Sequence, residues 1–295
     1  MKLCLTCQHR HDQALWKCPA CGKSPDDCNG FLAFAPELAA HNDGFNPKFF
    51  QLMAAVEPTH FWFVMRNRIL IDVMRKHFHN PGKVLEIGCG TGFVLSGVRD
   101  AFPQACLSGS DIFTGGLTFT AQRVPDAFLF QMDARHIPFR EEFDLIGAFD
   151  VLEHIEQDEA VLAQIYQACK PGGGIVLTVP QHPLLWSRSD DFAHHKRRYV
   201  SKELLEKVTR AGFLVEYVTS FVALLLPLML ASRVLSRSGT SMDEQMDGAG
   251  LKIGKLTNAV LGVIMRIEWI LIKVGLSFPF GRSLLLVAKN PKERI

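Results

Sequence analysis

Hydrophobic runs of strand length alternate with amphipathic stretches of helix length over most of the chain. The runs predict strands at 83–87, 106–110, 127–131, 143–149, 174–179, 213–219 and 283–289. Helical spacing predicts helices at 60–78, 92–101, 114–123, 157–169 and 201–211. Pro171-Gly172-Gly173-Gly174 marks a break between the helix at 157–169 and the next strand. The alternation predicts an α/β domain with a parallel sheet that is covered on both faces.

About sixty residues between the last two predicted strands interrupt this alternation, which is far longer than a usual connection. The apolar stretch 221–235 is shorter than the ~20 residues that span a bilayer. The stretch 256–278 is long enough but contains three charged residues. On a helical wheel its polar positions form one narrow stripe: Lys255, Asn258, Gly262, Arg266 and Lys273. This pattern predicts a helix in a membrane interface or over an apolar pocket, or one packed on the protein's own core or on a second subunit.

The composition indicates a globular protein, because 48% of the 295 residues are hydrophobic and 21% are charged. A net charge of +2 is too small to predict nucleic-acid binding by itself. Cysteine and histidine stand where a secretory signal would be apolar. We therefore expect a cytoplasmic protein, with the insertion as a reason to expect contact with the inner face of the membrane. The sequence does not predict an oligomeric state.

Four of the eight cysteines lie in the first 21 residues, as two C-x-x-C pairs ten residues apart: Cys4, Cys7, Cys18 and Cys21. Two such pairs place four thiolates around one tetrahedral Zn²⁺ and leave no position for water, so the site is expected to be structural. We predict a zinc-ribbon-like module at 1–30, an irregular linker with one helix at 31–58, and the α/β domain at 59–295 with an apolar helical insertion at 221–280.

The segment from Val84 to Gly92 contains a strand, an acidic residue and three glycines in the pattern E-x-G-x-G-x-G. Glycine suits a tight turn where a ligand touches bare backbone. The dinucleotide pattern G-x-G-x-x-G fails because Phe93 stands at its third glycine. The segment resembles the first motif of the class I S-adenosylmethionine-dependent methyltransferases. Two blocks, Val179–Trp186 and His195–Tyr199, resemble a bacterial subgroup of that family.

The resemblance implies a Rossmann-like three-layer fold whose last two strands form an antiparallel hairpin at the sheet edge. It implies that Glu86 attracts the cofactor's ammonium group, that Asp111 accepts the ribose hydroxyls and that Asp133 lies against the adenine. The full set of expected cofactor-binding residues is Glu86, Gly88, Cys89, Gly90, Gly92, Asp111, Ile112, Asp133, Ala134 and Asp150. Acidic residues at successive strand ends fit this assignment, because ligands of such sheets bind at the carboxyl ends of the strands.

The candidates for catalysis follow the fourth and fifth predicted strands of the sheet. They are Glu153, His154, His182 and His195, with His154 as the first choice for a base because histidine titrates near neutrality. An alternative is that His154 only packs and forms hydrogen bonds. The D-x-x-E-H spacing of Asp150, Glu153 and His154 resembles the E-x-x-E-H metal site of ubiquinone O-methyltransferases and small-RNA 2′-O-methyltransferases, which implies a divalent cation there.

The basic run Lys196-Arg197-Arg198 is either a solvated face or a loop that binds an anionic group of the substrate. The resemblance implies methyl transfer from S-adenosylmethionine to an oxygen or carbon of a small-molecule, lipid-linked or glycan-related acceptor. Two alternatives stay open. One is an RNA methyltransferase that uses the zinc module for recognition, and the other is a non-catalytic scaffold that binds the cofactor and recruits partners.

Overall fold

The structure is a computed structural model that describes residues 1–39, 47–236 and 253–292. The rest of the predicted linker and of the insertion, 40–46 and 237–252, lies outside the described residues. The strands are β1 (Lys2–Leu3), β2 (Arg10–His11), β3 (Asp26–Cys28), β4 (Phe31–Ala33), β5 (Lys83–Ile87), β6 (Cys106–Asp111), β7 (Phe128–Gln131), β8 (Phe143–Phe149), β9 (Cys169–Pro180), β10 (Leu214–Phe221) and β11 (Ser283–Lys289). The helices are α1 (Pro36–Ala39), α2 (Pro47–Val56), α3 (Phe61–His77), α4 (Phe93–Ala101), α5 (Thr114–Arg123), α6 (Asp158–Ala168), α7 (Arg188–Phe192), α8 (Ser201–Arg210), α9 (Leu226–Ser236) and α10 (Lys255–Lys273).

Nine of the strands form one sheet in the order β10-β11-β9-β8-β5-β6-β7-β4-β3. Strands β5 to β9 pair in parallel, and β11 is antiparallel to both β9 and β10. Apolar side chains of α6 and α8 form the core on one face, and those of α3, α4 and α10 form the core on the other. The predicted three-layer α/β fold and its reversed final hairpin are therefore confirmed.

Strand β9 begins five residues earlier than predicted. Its glycine-rich start pairs with β8 through a bulge, because Phe143 faces Cys169 whereas Leu145 already faces Gly174. A β-carbon on Gly174 would lie 2.4 Å from the carbonyl oxygen of Ala288, so the glycine permits close approach of the neighbouring strand. The glycines that end the helical pattern are thus part of the sheet.

The segment predicted as an irregular linker also contributes to the sheet. Strand β4 pairs in parallel with β7, and β3, which lies in the predicted zinc module, pairs antiparallel with β4. The buried side-chain amide of Gln131 bonds both backbone polar groups of Ala35 and holds the strand end in place. Trp16 packs edge-on against Phe34 and Phe139 and links the first thirty residues to the same core.

The described part of the insertion contains two helices, α9 and α10, and α10 packs along α3. Asn258 accepts a hydrogen bond from the backbone N–H of Phe61 at 2.9 Å, and the Trp269 indole donates to Asp72 at 2.9 Å. Met265 and Ile272, on the inner side of α10, are buried in the core. None of the helices in the described parts of the chain has the length and hydropathy to cross a membrane.

Candidate active site

The glycine turn after β5 borders open space at Gly90. Its φ angle is +53°, and a β-carbon added there would meet no atom within 4 Å. The other two glycines of the motif serve packing, because a β-carbon would lie 2.5 Å from Val151 at Gly88 and 2.7 Å from Thr120 at Gly92. The turn thus presents bare backbone to a ligand at one position and needs glycine at two more for close contact.

Asp111 ends β6 and is buried beside this turn. Its carboxylate accepts from the backbone N–H of Gly90 at 2.8 Å and of Phe113 at 2.9 Å. Burial raises the pKa of Asp111, and these backbone hydrogen bonds oppose the rise. Cys89 is buried with its sulfur 3.8 Å from the Thr120 hydroxyl, and the carbonyl of the partly buried Ile112 accepts from Gln131.

Glu86 is a buried carboxylic acid at the end of β5, and its Oε2 has no hydrogen-bond partner. Burial raises the pKa of Glu86 to about 8, although the positive charge of Arg66 acts in the opposite direction. A buried acceptor without a partner is costly unless a ligand satisfies it. The end of β5 therefore holds a buried carboxyl group that suits a cationic ligand atom.

Asp133 and Ala134 follow β7, and both are buried. Arg135 Nε lies 3.0 and 2.9 Å from the two carboxylate oxygens of Asp133. Burial alone would raise the pKa of Asp133, but the hydrogen bonds and charge of Arg135 hold it below the ordinary value. In this structure Asp133 is thus engaged by a neighbouring cation.

Asp150 is engaged by a residue from a distant part of the chain. It forms an ion pair with Arg66 of α3 and accepts from the Thr178 hydroxyl at 3.2 Å. The Arg66 side chain also lies over the rings of Trp62 and Phe149. Arg66 gave no signal in the sequence beyond its place on a helix. The predicted cluster of Asp150, Glu153 and His154 is therefore not formed, because Asp150 pairs with Arg66.

Glu153 and His154 lie instead with His195, and their ligand atoms are all within 4.8 Å of one another. Glu153 is fully buried, and neither of its oxygens has a hydrogen-bond partner. Burial, followed by the nearby charge of Asp150, raises the pKa of Glu153 well above its ordinary value. The ring of His154 packs edge-on against His195 at 4.8 Å, and desolvation and His195 lower the pKa of His154.

His195 is oriented by Asp190, which the sequence analysis missed. Its Nδ1 lies 2.8 Å from Asp190 Oδ1, while its Nε2 points to Glu153 Oε1 at 3.9 Å. Asp190 is buried, and the hydrogen bonds from His195 and Arg198 lower its pKa despite that burial. Because the aspartate is an acceptor, it selects the tautomer of the neutral ring in which Nδ1 of His195 carries the proton and Nε2 is the acceptor.

The other predicted substrate residues are placed differently. His182 lies apart from this cluster, and its ring stacks on Phe280 at 5.8 Å. Arg198 is buried with its guanidinium on Asp190, and Arg197 pairs with Asp158 at 2.9 Å. Among the three cations of the basic run, Lys196 alone is exposed and forms no ion pair within the described structure. The expectation that all three cations bind an anionic substrate group is therefore not met.

Helix α2 covers the glycine turn through contacts that the sequence analysis also missed. Glu57, directly after α2, is buried with both carboxylate oxygens 2.6 Å from the Thr91 hydroxyl, and it pairs with Arg123 of α5. Phe49 of α2 meets Phe192 of α7 with ring centres 6.1 Å apart. The segment that precedes β5 thus contacts both the glycine turn and the segment that follows β9.

The four N-terminal cysteines converge, and all their sulfur atoms lie within 4.8 Å of one another. Cys4 and Cys21 are 3.6 Å apart, as are Cys7 and Cys18. Tetrahedral zinc with Zn–S bonds of about 2.3 Å requires sulfur atoms about 3.8 Å apart, so the donor set fits the metal. Each C-x-x-C pair is followed by a residue with positive φ, Gln8 and Gly22, which turns the chain back under the thiolates.

Comparison with known proteins finds similarity to methyltransferases. A family described as "Methyltransferase domain" matches residues 65–218, just over half of the chain. A malonyl-[acyl-carrier protein] O-methyltransferase from Anoxybacillus flavithermus is 37% identical over 95 residues, which cover 32% of this chain and 37% of that protein. A trans-aconitate 2-methyltransferase from Deinococcus radiodurans is 28% identical over 117 residues, which cover 37% of this chain and 45% of that protein. The chain thus spans less than half the length of these two relatives.

The solved structure of Haemonchus contortus phosphoethanolamine N-methyltransferase 2 with S-adenosyl-L-methionine superposes with a TM-score of 0.56. It is 19% identical, and the match covers 85% of this chain and 58% of that one. At this identity the match supports the fold alone. The order of the strands, the glycine turn beside Asp111 and the family match all point to the same family. The chain belongs to the class I S-adenosylmethionine-dependent methyltransferase family.

Proposed function

We propose that this protein transfers a methyl group from S-adenosylmethionine to an oxygen or carbon atom of a small-molecule or lipid-linked acceptor. The observation that carries the proposal is the bare backbone of Gly90, which borders open space and lies beside the buried carboxyl groups of Glu86 and Asp111. Among the matched relatives, proteins named O-methyltransferase and C-methyltransferase support this type of atom, and one relative is named an N-methyltransferase.

The cofactor supplies a methyl group already activated on a sulfonium. Glu86 meets the ammonium group of its methionine part, since the Oε2 of this residue lacks a partner. Asp111 accepts the ribose hydroxyls with the lone pairs that its two backbone hydrogen bonds leave free. Asp133 lies at the adenine end. The main task left to the protein is to hold the acceptor in line with the bond that breaks.

His195 acts as the general base in this proposal. Asp190 holds its Nδ1 proton at 2.8 Å, so the Nε2 lone pair faces the cluster with Glu153 and His154. A histidine fixed in one tautomer by a buried carboxylate is the arrangement that takes a proton from a hydroxyl or an acidic C–H. The divalent cation expected at Asp150, Glu153 and His154 would lack Asp150, which Arg66 engages.

An apolar acceptor suits the surface around the carboxyl edge of the sheet. Four large apolar side chains on the segments at this edge are exposed: Leu184, Trp186, Phe192 and Phe280. These residues follow β9 or precede β11, on the side of the sheet where β8 presents the proposed base cluster. Apolar walls with a few polar groups are typical of small-molecule sites.

A turnover assay tests the base. Purified protein is incubated with methyl-labelled S-adenosylmethionine and either a bacterial total-lipid extract or a water-soluble metabolite fraction. We expect transfer into one of these pools, and we expect His195→Ala to lower it about 100-fold or more with unchanged cofactor affinity. The control is His194→Ala, the exposed neighbour. Equal turnover by the His195 variant and the parent protein would contradict the assignment.

We also propose that Cys4, Cys7, Cys18 and Cys21 bind one structural zinc ion. The convergence of the four sulfur atoms and the absence of a fifth donor in the described cluster support this. The first thirty residues contain little core of their own, so metal binding would contribute much of their folding free energy.

A further inference from the structure

The solvent-facing side of α10 carries a continuous row of apolar side chains. Six positions spaced four and three residues apart are between 47% and 80% exposed: Leu256, Val260, Val263, Ile267, Ile270 and Val274. This spacing keeps them on one side of the helix over its whole length. We call this row the α10 stripe. Single exposed apolar residues are ordinary on protein surfaces, but an aligned row of six is not.

The orientation of the helix is fixed by its opposite side. Met265 and Ile272 are buried against α3 and the sheet, and Trp269 is hydrogen-bonded to Asp72. The core-facing side is therefore already occupied. A rotation that buried the stripe would expose these side chains and break that hydrogen bond, so the stripe faces outward in the folded protein.

The charges on α10 are of one sign at its surface. Lys255, Arg266 and Lys273 lie along one edge of the stripe and are exposed. Glu268 is the single acidic residue of the helix, and it is buried, where its carboxylate accepts from the backbone N–H groups of Val222, Ala223 and Leu224. The outer surface of α10 thus combines apolar side chains with three cations and no anion.

A groove of about 340 Å³ runs beside the basic edge, between α3, β10 and α10. Its lining includes the cations Arg75, Lys76 and Lys273 and the rings of Tyr217 and Trp269. Asp72 is the single acid among the lining residues, and it is already engaged by Trp269 and by Lys273 at 3.2 Å. The groove therefore keeps an excess of positive charge and suits an anionic group.

We propose that α10 docks this protein on an anionic lipid bilayer. The α10 stripe enters the boundary between headgroups and acyl chains, the basic edge contacts lipid phosphates, and the groove accepts one headgroup. A helix with an apolar side and a basic edge is typical of interfacial binding. A second copy of the chain fits less well, because paired helices that associate through such a stripe carry opposite charges at its edges, and here the edge is basic only.

The first turn of α10 contacts the segment that follows Glu57, close to the glycine turn. Asn258 in the first turn of α10 bonds the backbone of Phe61 and Thr59, two residues after Glu57, which covers the glycine turn. An acceptor dissolved in the bilayer would thus have a short path to the glycine turn. This consequence rests on the proposed function, whereas bilayer binding itself does not.

Vesicle cosedimentation tests the proposal with the full chain. The probes are vesicles of phosphatidylcholine alone and vesicles with about 30% phosphatidylglycerol. We expect binding to the anionic vesicles that weakens with salt, and a loss of about tenfold or more in the double variant Val263→Asp/Ile270→Asp. The matched control is Leu15→Asp, because Leu15 is 74% exposed in the first thirty residues.

A second pair of variants tests the charge. Lys255→Glu/Arg266→Glu is expected to remove the preference for anionic vesicles, whereas Lys17→Glu, at an exposed cation outside α10, leaves it unchanged. Circular dichroism and cofactor affinity report whether each variant folds. If the double aspartate variant is unfolded, Leu256→Ser, at a side chain 80% exposed, repeats the test.

Two results would overturn the proposal. One is a parent protein that does not bind anionic vesicles, or that binds them equally well after the stripe is substituted. The other is a parent protein that is dimeric in light scattering and becomes monomeric in the stripe variant without any vesicle binding, since the stripe would then be a subunit interface. A failure of methyl transfer with intact vesicle binding would reject the proposed function alone.

Discussion

At the scale of single residues, the candidate site is defined by carboxyl groups held in unfavourable surroundings. Glu86 and Glu153 are buried, and both contain oxygens without partners. Burying such groups destabilises the ionised folded protein, because the charge loses its hydration. Groups of this kind are typical of functional sites, where a ligand supplies the missing interaction.

Glu86→Gln is expected to change how stability depends on pH. The folded-state pKa of Glu86 is about 8, above the ordinary 4.5. When folding raises the pKa of an acid, that group contributes fully to the free energy of unfolding below its unfolded-state pKa. The contribution is lost as the pH rises from there through its folded-state pKa. Between about pH 4.5 and 8 the parent protein should therefore lose up to about 1.4 kcal/mol of unfolding free energy per pH unit through this group.

Urea denaturation over this pH range measures the effect. The glutamine variant should show a shallower decline, greater stability than the parent at about pH 8, and weaker cofactor binding. Glu206→Gln serves as the control, because the Glu206 side chain is 55% exposed. Identical pH profiles for the parent and the Glu86 variant would show that the carboxyl group is not held as described.

At the scale of elements, the first thirty-nine residues are joined to the catalytic domain through the sheet. Strands β3 and β4 extend its edge beside β7, and Trp16 packs against the same core. The proposed zinc site precedes β3 directly, since Cys21 and Asp26 are separated by four residues. Loss of the metal should consequently destabilise the edge of the sheet as well as the cysteine cluster.

Cys18→Ser is expected to remove the zinc and to lower the melting temperature by several degrees, because the edge strands lose their anchor. Metal analysis should give one zinc per chain for the parent protein. Cys28→Ser is the matched control, since Cys28 lies in the same module but outside the four-sulfur cluster. A parent protein with reduced thiols and no zinc would refute the site.

The sequence predicted the long elements well and the short ones poorly. The predicted strands at 143–149 and 283–289 match β8 and β11 residue for residue, because both are buried apolar runs with an unambiguous pattern. Strand β4 has three residues, and its pairing with β7 depends on where the rest of the chain places that edge. The start of β9 was missed because three glycines usually break a strand, and here they form a bulge.

At the scale of the whole molecule, the parts of the site that local motifs encode could be predicted, and those that need distant partners could not. Glu86, Gly90 and Asp111 lie beside one another because adjacent parallel strands end at one edge of the sheet. The pairs Asp190–His195 and Arg66–Asp150 differ in this respect. The former is within one loop but has no recognised spacing, and the latter joins residues 84 positions apart.

The alternative functions, RNA binding and scaffolding, also concern the molecule as a whole. RNA binding stays an untested prediction, and the pairing of Arg197 and Arg198 with acidic residues reduces the free positive charge that it would use. A purely scaffolding role is disfavoured by the oriented His195 beside Glu153 and His154, because a cofactor-binding scaffold needs no base. Cytoplasmic location and contact with the inner membrane face are likewise predictions.

Calorimetric titration with S-adenosylhomocysteine tests the central claim most directly. We predict one site per chain in the parent protein and an affinity about 10- to 100-fold lower in Asp111→Asn, because the amide replaces a charged acceptor of the ribose hydroxyls. Asp126→Asn, an exposed aspartate after α5, is the control and should bind as the parent does. Absence of binding by the folded parent protein, or preferential binding of NAD, would contradict the account.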